Sequence, residues 1–143
     1  MLIGQYLSKI TTGNRIAIPA KFRNELQGFL YITQGYEGCL VLVDEDGFAK
    51  LTEGIADKPF IRGDVRETTR FLLGSAYELE VDEQGRFVLP TALREFAEIK
   101  EEVVFLGLKN WIEVWDKEKW TAHKSNLEEK GAEIAERLAK IEA

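Results

Sequence analysis

The chain has 143 residues, 45% of them hydrophobic, and carries 19 Lys and Arg against 25 Asp and Glu for a net charge of −6. That length suits one domain or two very small ones, with apolar residues enough for a real core. No apolar run approaches the ~18 residues of a membrane span, and the acidic total argues at first against a nucleic-acid partner.

In chain order, residues 3–11 read as an extended run, and the start "MLIGQYLSK" (1–9) lacks a signal peptide's basic and long apolar regions. Gly13-Asn14 marks a tight turn, since both residues tolerate positive φ. Ile16 and Ile18 alternate with Ala17, which predicts a short strand with one apolar face. Pro19 ends that strand because it has no N–H for a ladder, and it suits a helix start. The helix covers about 20–27, with Phe22 and Leu26 on one face. Strands near 29–34 and 39–43 follow, joined by "GYEG".

Gly54, Pro59 and Gly63 mark residues 54–63 as a linker, followed by a helix over 64–73. Arg62, Arg66 and Arg70 stand four apart and form one stripe. Such a stripe suits nucleic acid, but pairing with acids such as Asp64 and Glu67, or with a neighbouring subunit's acids, is the favoured reading.

From residue 76 the first phrase returns. "TTGNRIAIPAKFR" (11–23) and "DEQGRFVLPTALR" (82–94) lie 71 positions apart, matching Arg15 to Arg86, Pro19 to Pro90 and Arg23 to Arg94. Tyr6 aligns with Tyr77, and Ile16, Ile18 and Phe22 align with Phe87, Leu89 and Leu93. "FLYIT" (29–33) resembles "VVFLG" (103–107), and "CLVLVD" (39–44) matches "WIEVWD" (111–116) at an offset of 72. Each copy reads strand, turn, strand, helix, strand, strand, helix, so the repeats span 5–47 and 76–119, with 54–75 connecting them and 120–143 as a C-terminal helix. Trp111, Glu113 and Trp115 share a strand face, read as core or subunit interface. Asp116 is placed to cap the last helix. Leu127, Ile134, Leu138 and Ile141 give that helix a narrow stripe suited to a partner helix.

The copies differ in charge. Residues 1–27 hold Lys9, Arg15, Lys21 and Arg23 against Glu25, a net +3, while residues 28–143 hold 15 bases and 24 acids, a net −9. Asp82 lies four residues before Arg86 across the second turn, where a carboxylate and guanidinium can brace the hairpin bidentately. Thr11 stands at the equivalent place in the first copy, so Arg15 keeps its charge available. Residues 74–97 carry Glu78, Glu80, Asp82, Glu83 and Glu95 against Arg86 and Arg94, a net −3 that repels phosphate. Copy one is therefore expected to meet an anionic partner and copy two to complete the fold.

Catalysis and metal binding find little support. One histidine, His123, and one cysteine, Cys39, form no ligand pattern, and no CxxC, HExxH, GxSxG or phosphate loop occurs. No catalytic residue, metal, cofactor or small-molecule ligand is expected. The lone cysteine fits a reducing cytosol.

"DEQGRFVLP" resembles the Asp-x-x-x-Arg signature of the SpoVT/AbrB-like swapped-hairpin folds. Two copies in a chain of this length, with "FLLGSA" between them and "EVWD" near the end, resemble the bacterial MraZ family over nearly the whole chain. The resemblance implies an α+β fold in which two interleaved hairpins form one barrel as an intrachain pseudo-dimer, with peripheral helices. It implies a cytoplasmic, nucleoid-associated DNA-binding regulator, usually a repressor, of the division and cell-wall gene cluster, working as a ring-shaped homo-oligomer on promoter repeats. The family arginine maps onto Arg15. The family acid and lysine of the first copy map onto Thr11 and Gly13 and are absent, leaving Lys9 or Lys21 to substitute. Arg15 is the expected base-edge or phosphate contact, with Asn14 beside it and Lys9, Lys21 and Arg23 positioning the DNA backbone. Asp82, Gly85, Arg86, Pro19 and Pro90 form the structural motif, and Arg23 shares a possible structural role with Arg94. An oligomeric protein-interaction scaffold is the alternative function.

Overall fold

Proline at two equivalent places sets the length of two equivalent strands. A computed structural model, which describes residues 1–142, places β1 at Ile3–Lys9, β2 at Arg15–Ala17, α1 at Ala20–Arg23, β3 at Leu30–Gln34, β4 at Leu40–Asp44 and α2 at Glu45–Ala56. After α3 (Gly63–Leu72) the series repeats as β5 (Tyr77–Leu79), β6 (Arg86–Val88), α4 (Thr91–Phe96), β7 (Glu102–Leu108), β8 (Ile112–Asp116) and α5 (Lys117–Glu142). β2 and β6 stop after three residues, two before Pro19 and Pro90. Each proline is extended and sits immediately before a short helix, its carbonyl accepting the first backbone N–H bonds of that turn.

The copies exchange strands. β1 pairs with β7, β5 with β3, β2 with β6 and β4 with β8, all antiparallel. Among the described residues, only the ladders β3–β4 and β7–β8 lie within one copy. The six-stranded sheet runs β1-β7-β8-β4-β3-β5, an order that maps onto itself when the copies are swapped. This is the mixed, interleaved architecture that the family resemblance implies. Ladder hydrogen bonds do not close it into a full barrel: β1 and β5 remain sheet edges, and β2–β6 forms a separate two-stranded ribbon.

The core lies between ribbon and sheet. Ile16, Ile18 and Phe22 are fully buried, as are their counterparts Phe87, Leu89 and Leu93, and all join Ile32, Leu40, Leu42, Phe105 and Ile112. Each such side chain contributes roughly 1.5–3 kcal/mol by burial. Asp44 and Asp116 close the two halves alike. Asp44 Oδ1 accepts the Gly47 amide that caps α2, and Asp116 Oδ2 accepts Glu118 and Lys119 amides at the start of α5.

Several sequence expectations change in detail. β1 ends at Lys9, and beyond it Thr11 makes only an isolated bridge to Arg15. The helix after Pro19 is a single turn ending at Arg23, where the chain bends toward Gly28 at φ 73°. Gly54 belongs to α2, whose apolar face overrides the glycine, so the connecting segment is only 57–62. The match of "FLYIT" to "VVFLG" slips by one residue. Leu30 pairs with Leu79 as Val103 pairs with Ser8, and Ser8 and Leu79 are equivalent, so Leu30 corresponds to Val103. A slip of one exchanges the two faces of a strand, and burial fixes the register. Along α5, Leu127, Ile134, Leu138 and Ile141 are exposed.

Candidate nucleic-acid interface

The β2–β6 ribbon has one buried face and one free face. Ile16 lies opposite Phe87, and both point into the core. Side chains alternate along a strand, so Arg15, Ala17, Arg86 and Val88 share the opposite face. Arg15 pairs with Val88 and Ala17 with Arg86, which puts the two arginines on a diagonal. Diagonal neighbours across an antiparallel pair stand about 7–8 Å apart.

The turns feeding these arginines share their closing hydrogen bonds and one left-handed position, although Gly13 is also left-handed and its counterpart Gln84 is not. The Thr11 amide donates to the Arg15 carbonyl at 2.8 Å, as the Asp82 amide does to Arg86 at 2.9 Å. Asn14 and Gly85, at equivalent places, both have positive φ, 63° and 79°. The side chains diverge. Asp82 Oδ1 accepts the Gln84 and Arg86 amides, and Oδ2 accepts Arg86 Nε at 2.9 Å. The brace therefore joins one carboxylate oxygen to the turn backbone and one to the guanidinium, in place of the expected two-pronged side-chain pair. The bond from the Arg86 amide leads the effects that hold the Asp82 carboxyl below the ordinary carboxylate range. Thr11 offers only a hydroxyl, which donates to the Arg15 carbonyl. The Arg15 guanidinium is exposed and makes no ion pair among the described residues. It folds back over Gly13, where a Cβ would lie 2.3 Å from Nη1.

Asn14, Arg23 and Arg94 are committed to the interior of the hairpin pair. Asn14 donates through Nδ2 to the Leu89 carbonyl at 3.0 Å and accepts Arg94 Nη1 at its Oδ1. Arg94 also donates to the carbonyls of Ile99 and Lys100. Its counterpart Arg23 donates to the Gln84 carbonyl and covers Gly85 so closely that a Cβ there would sit 1.6 Å from Nη1. Each copy thus sends an arginine to clasp the other copy's turn. Sequence reading noted that Arg23 and Arg94 match but could not find their acceptors, which are backbone carbonyls and one amide.

Lys9 and Lys21 are exposed, and Lys21 Nζ lies 5.8 Å from the Tyr6 ring centroid. Neither forms an ion pair among the described residues, while Glu25 pairs with the amino terminus. A groove of about 810 Å³ runs along this same free face, lined by Arg15, Arg86 and Val88 together with Glu78, Glu80 and Asp82. Acids thus flank the second copy's half. The Arg62/Arg66/Arg70 stripe has local partners. Arg62 pairs with Asp64 at 2.6 Å, Arg70 with Glu67, and Arg66 donates to the carbonyls of Phe60 and Ile61.

Elsewhere, Glu113 receives the indole N–H groups of Trp111 and Trp115, and Trp115 stacks on His123 and lies tilted against Trp120. Burial pushes the Cys39 thiol up, and the charge of Glu113 adds to the effect. No helix among the described residues is long and apolar enough to cross a membrane.

Known proteins share this duplicated plan. A model of the antitoxin-like MraZ protein family matches twice, over residues 1–71 and 72–141. A protein named Transcriptional regulator MraZ from Caldanaerobacter subterraneus subsp. tengcongensis is 40% identical over 138 residues, 96% of each chain. Proteins of the same name from Syntrophomonas wolfei subsp. wolfei and Thermoanaerobacter pseudethanolicus are each 38% identical over 141 residues, 99% of each chain. With its repeat, its interleaved strands and these full-length likenesses, the chain belongs to the MraZ family.

Proposed function

We propose that this chain is a sequence-specific DNA-binding transcriptional regulator that represses the gene cluster for division and cell-wall synthesis. It acts in the cytoplasm on the nucleoid, as a ring-shaped homo-oligomer on short direct repeats of promoter DNA. The relatives' shared name supports a role in transcription. The observation that carries the DNA reading is the exposed Arg15 on the free face of a two-stranded ribbon. Such a ribbon fits a major groove about 12 Å wide, and an arginine there pairs bidentately with guanine.

Roles divide by environment. Arg15 reads a base edge or phosphate. Lys9 and Lys21 neutralise backbone phosphates at the basic end of the chain. Asn14 serves the contact through the turn geometry it holds, and Arg23 sets the second hairpin with Asp82, Arg86 and Gly85. The test is a fluorescence-anisotropy titration on the chain's own upstream promoter across a salt series. Specific binding with a log–log salt slope near −0.9 per phosphate neutralised supports the reading. Binding no tighter than to scrambled DNA overturns it.

The exposed apolar stripe of α5 favours one second reading, a protein-interaction scaffold that binds no specific DNA. The same titration separates the two.

A further inference from the structure

We propose that neighbouring copies join by seating the Phe60–Ile61 turn of one chain in an aromatic socket of the next. The proposal rests on the assembly put forward above and names its contact.

The projecting part is built. Phe60 and Ile61 are adjacent, large and apolar, and are 83% and 84% exposed. Exposed apolar pairs in a loose loop would carry little meaning, but this turn is held. Arg62 donates its amide to the Pro59 carbonyl at 3.1 Å. Arg66 Nη1 donates to the carbonyls of Phe60 and Ile61 at 3.0 and 2.9 Å, and its guanidinium lies 5.9 Å from the Phe60 ring centroid. Ordering costs are therefore met before any partner arrives, which favours binding.

The receiving part lies elsewhere on the chain. A cavity of about 420 Å³ opens between the sheet and the helices, walled by Leu51, Trp111, Trp120, His123 and Leu127. Two of the indole N–H groups in its wall already have partners. The Trp111 indole is bonded to Glu113, and the Trp120 indole to Gln5. A cavity of about 150 Å³ accommodates benzene, so this one has room for a phenyl ring and an aliphatic neighbour.

Charge favours the same match. Glu37 and Glu113 line the socket. Around the projecting turn Asp64 neutralises Arg62, and Lys58 and Arg66, neither with an ion-pair partner among the described residues, outnumber Asp57. Opposite charge at the two sites fixes register and partner choice. Projection and socket are different surfaces of one chain, so the contact is heterologous and propagates into a ring when its rotation closes.

The experiment measures mass by light scattering on gel-filtered full-length chain at tens of micromolar. Two variants are made: Phe60→Asp with Ile61→Ser, and Leu127→Glu. All three substitutions are on exposed side chains, and circular dichroism confirms the fold. We expect an assembled wild type and two variants reduced to monomer. Mixed one to one, the variants should recover a dimer, because the first keeps an intact socket and the second an intact projection. A Phe60→Asp/Ile61→Ser chain with wild-type mass, or a mixture that stays monomeric, overturns the contact and leaves the assembly reading standing. A monomeric wild type overturns both.

Discussion

Arg94 and Asn14 lie 80 positions apart in sequence, yet the arginine donates to the asparagine side chain at 2.5 Å. The bond fixes a residue at φ 63° immediately before Arg15. The second copy thereby holds the turn of the first, from which Arg15 projects without an ion-pair partner among the described residues.

Removing this clasp should loosen the first hairpin without touching its charge. Hydrogen bonds to a charged group contribute about 1.5–3 kcal/mol when removed. Partial exposure lowers that, so Arg94→Ala should destabilise the fold by about 1–2 kcal/mol in urea denaturation. Arg94→Lys should rescue little, because an ammonium cannot serve three acceptors in a planar fork. Full rescue by lysine would show that charge alone matters at this site.

Gly85→Ala meets two obstacles. Its backbone is in the left-handed region at φ 79°, and the new Cβ would collide with the Arg23 side chain. The left-handed conformation alone costs an L-residue about 1–2 kcal/mol. We expect a loss of that size, with Arg23 displaced from the Gln84 carbonyl. A melting temperature equal to wild type would contradict the geometry described for this turn.

The Asp82 brace should be sensitive to acid. Its carboxyl is held below the ordinary carboxylate value in the folded chain. A depressed folded value means that the brace is fully present above the unfolded value, about 3.9. It is lost as pH falls through the lower folded value. Asp82→Asn should melt earlier than wild type at pH 7, and the gap should close below about pH 4. A gap that persists unchanged at pH 3 would show that the carboxylate charge is not what stabilises the turn.

Arg86→Ala separates the two hairpins. Arg86 is 39% exposed, shares the ribbon face with Arg15 and is bound to Asp82. We expect a modest fall in melting temperature and less than a threefold change in affinity for promoter DNA. A tenfold loss with unchanged stability and mass would assign direct contact to both hairpins.

Much of this was legible in sequence because the repeat made it so. Ile16/Phe87, Ile18/Leu89 and Phe22/Leu93 are equivalent apolar positions, and all six are buried. The Asp82–Arg86 pair followed from four-residue spacing across a turn. What sequence could not supply were contacts ending on backbone atoms. Arg23 and Arg94 look like free cations in a basic segment and an acidic one, and only the exchanged strands bring Gln84, Ile99 and Lys100 carbonyls within reach. The Phe60–Ile61 turn was hidden for a related reason. In a segment read as linker, nothing but the Arg66 bonds distinguishes a fixed projection from a loose loop.

We propose that Arg15, presented several times by an assembly, is what DNA meets. A +3 segment makes few phosphate contacts, so tight binding requires several copies at once, and linkage raises avidity by about 10²–10⁴. The most direct measurement is anisotropy titration of wild type and Arg15→Ala on promoter fragments with one repeat and with three, spaced near one helical turn. Wild-type affinity should rise steeply from one repeat to three, and inserting about 5 base pairs between repeats should largely erase the rise. Arg15→Ala should lose about 1–3 kcal/mol per site, with oligomer mass unchanged. Wild-type affinity in a correctly assembled Arg15→Ala, or equal affinity for one repeat and three, would overturn the role proposed for Arg15 and its repeated presentation.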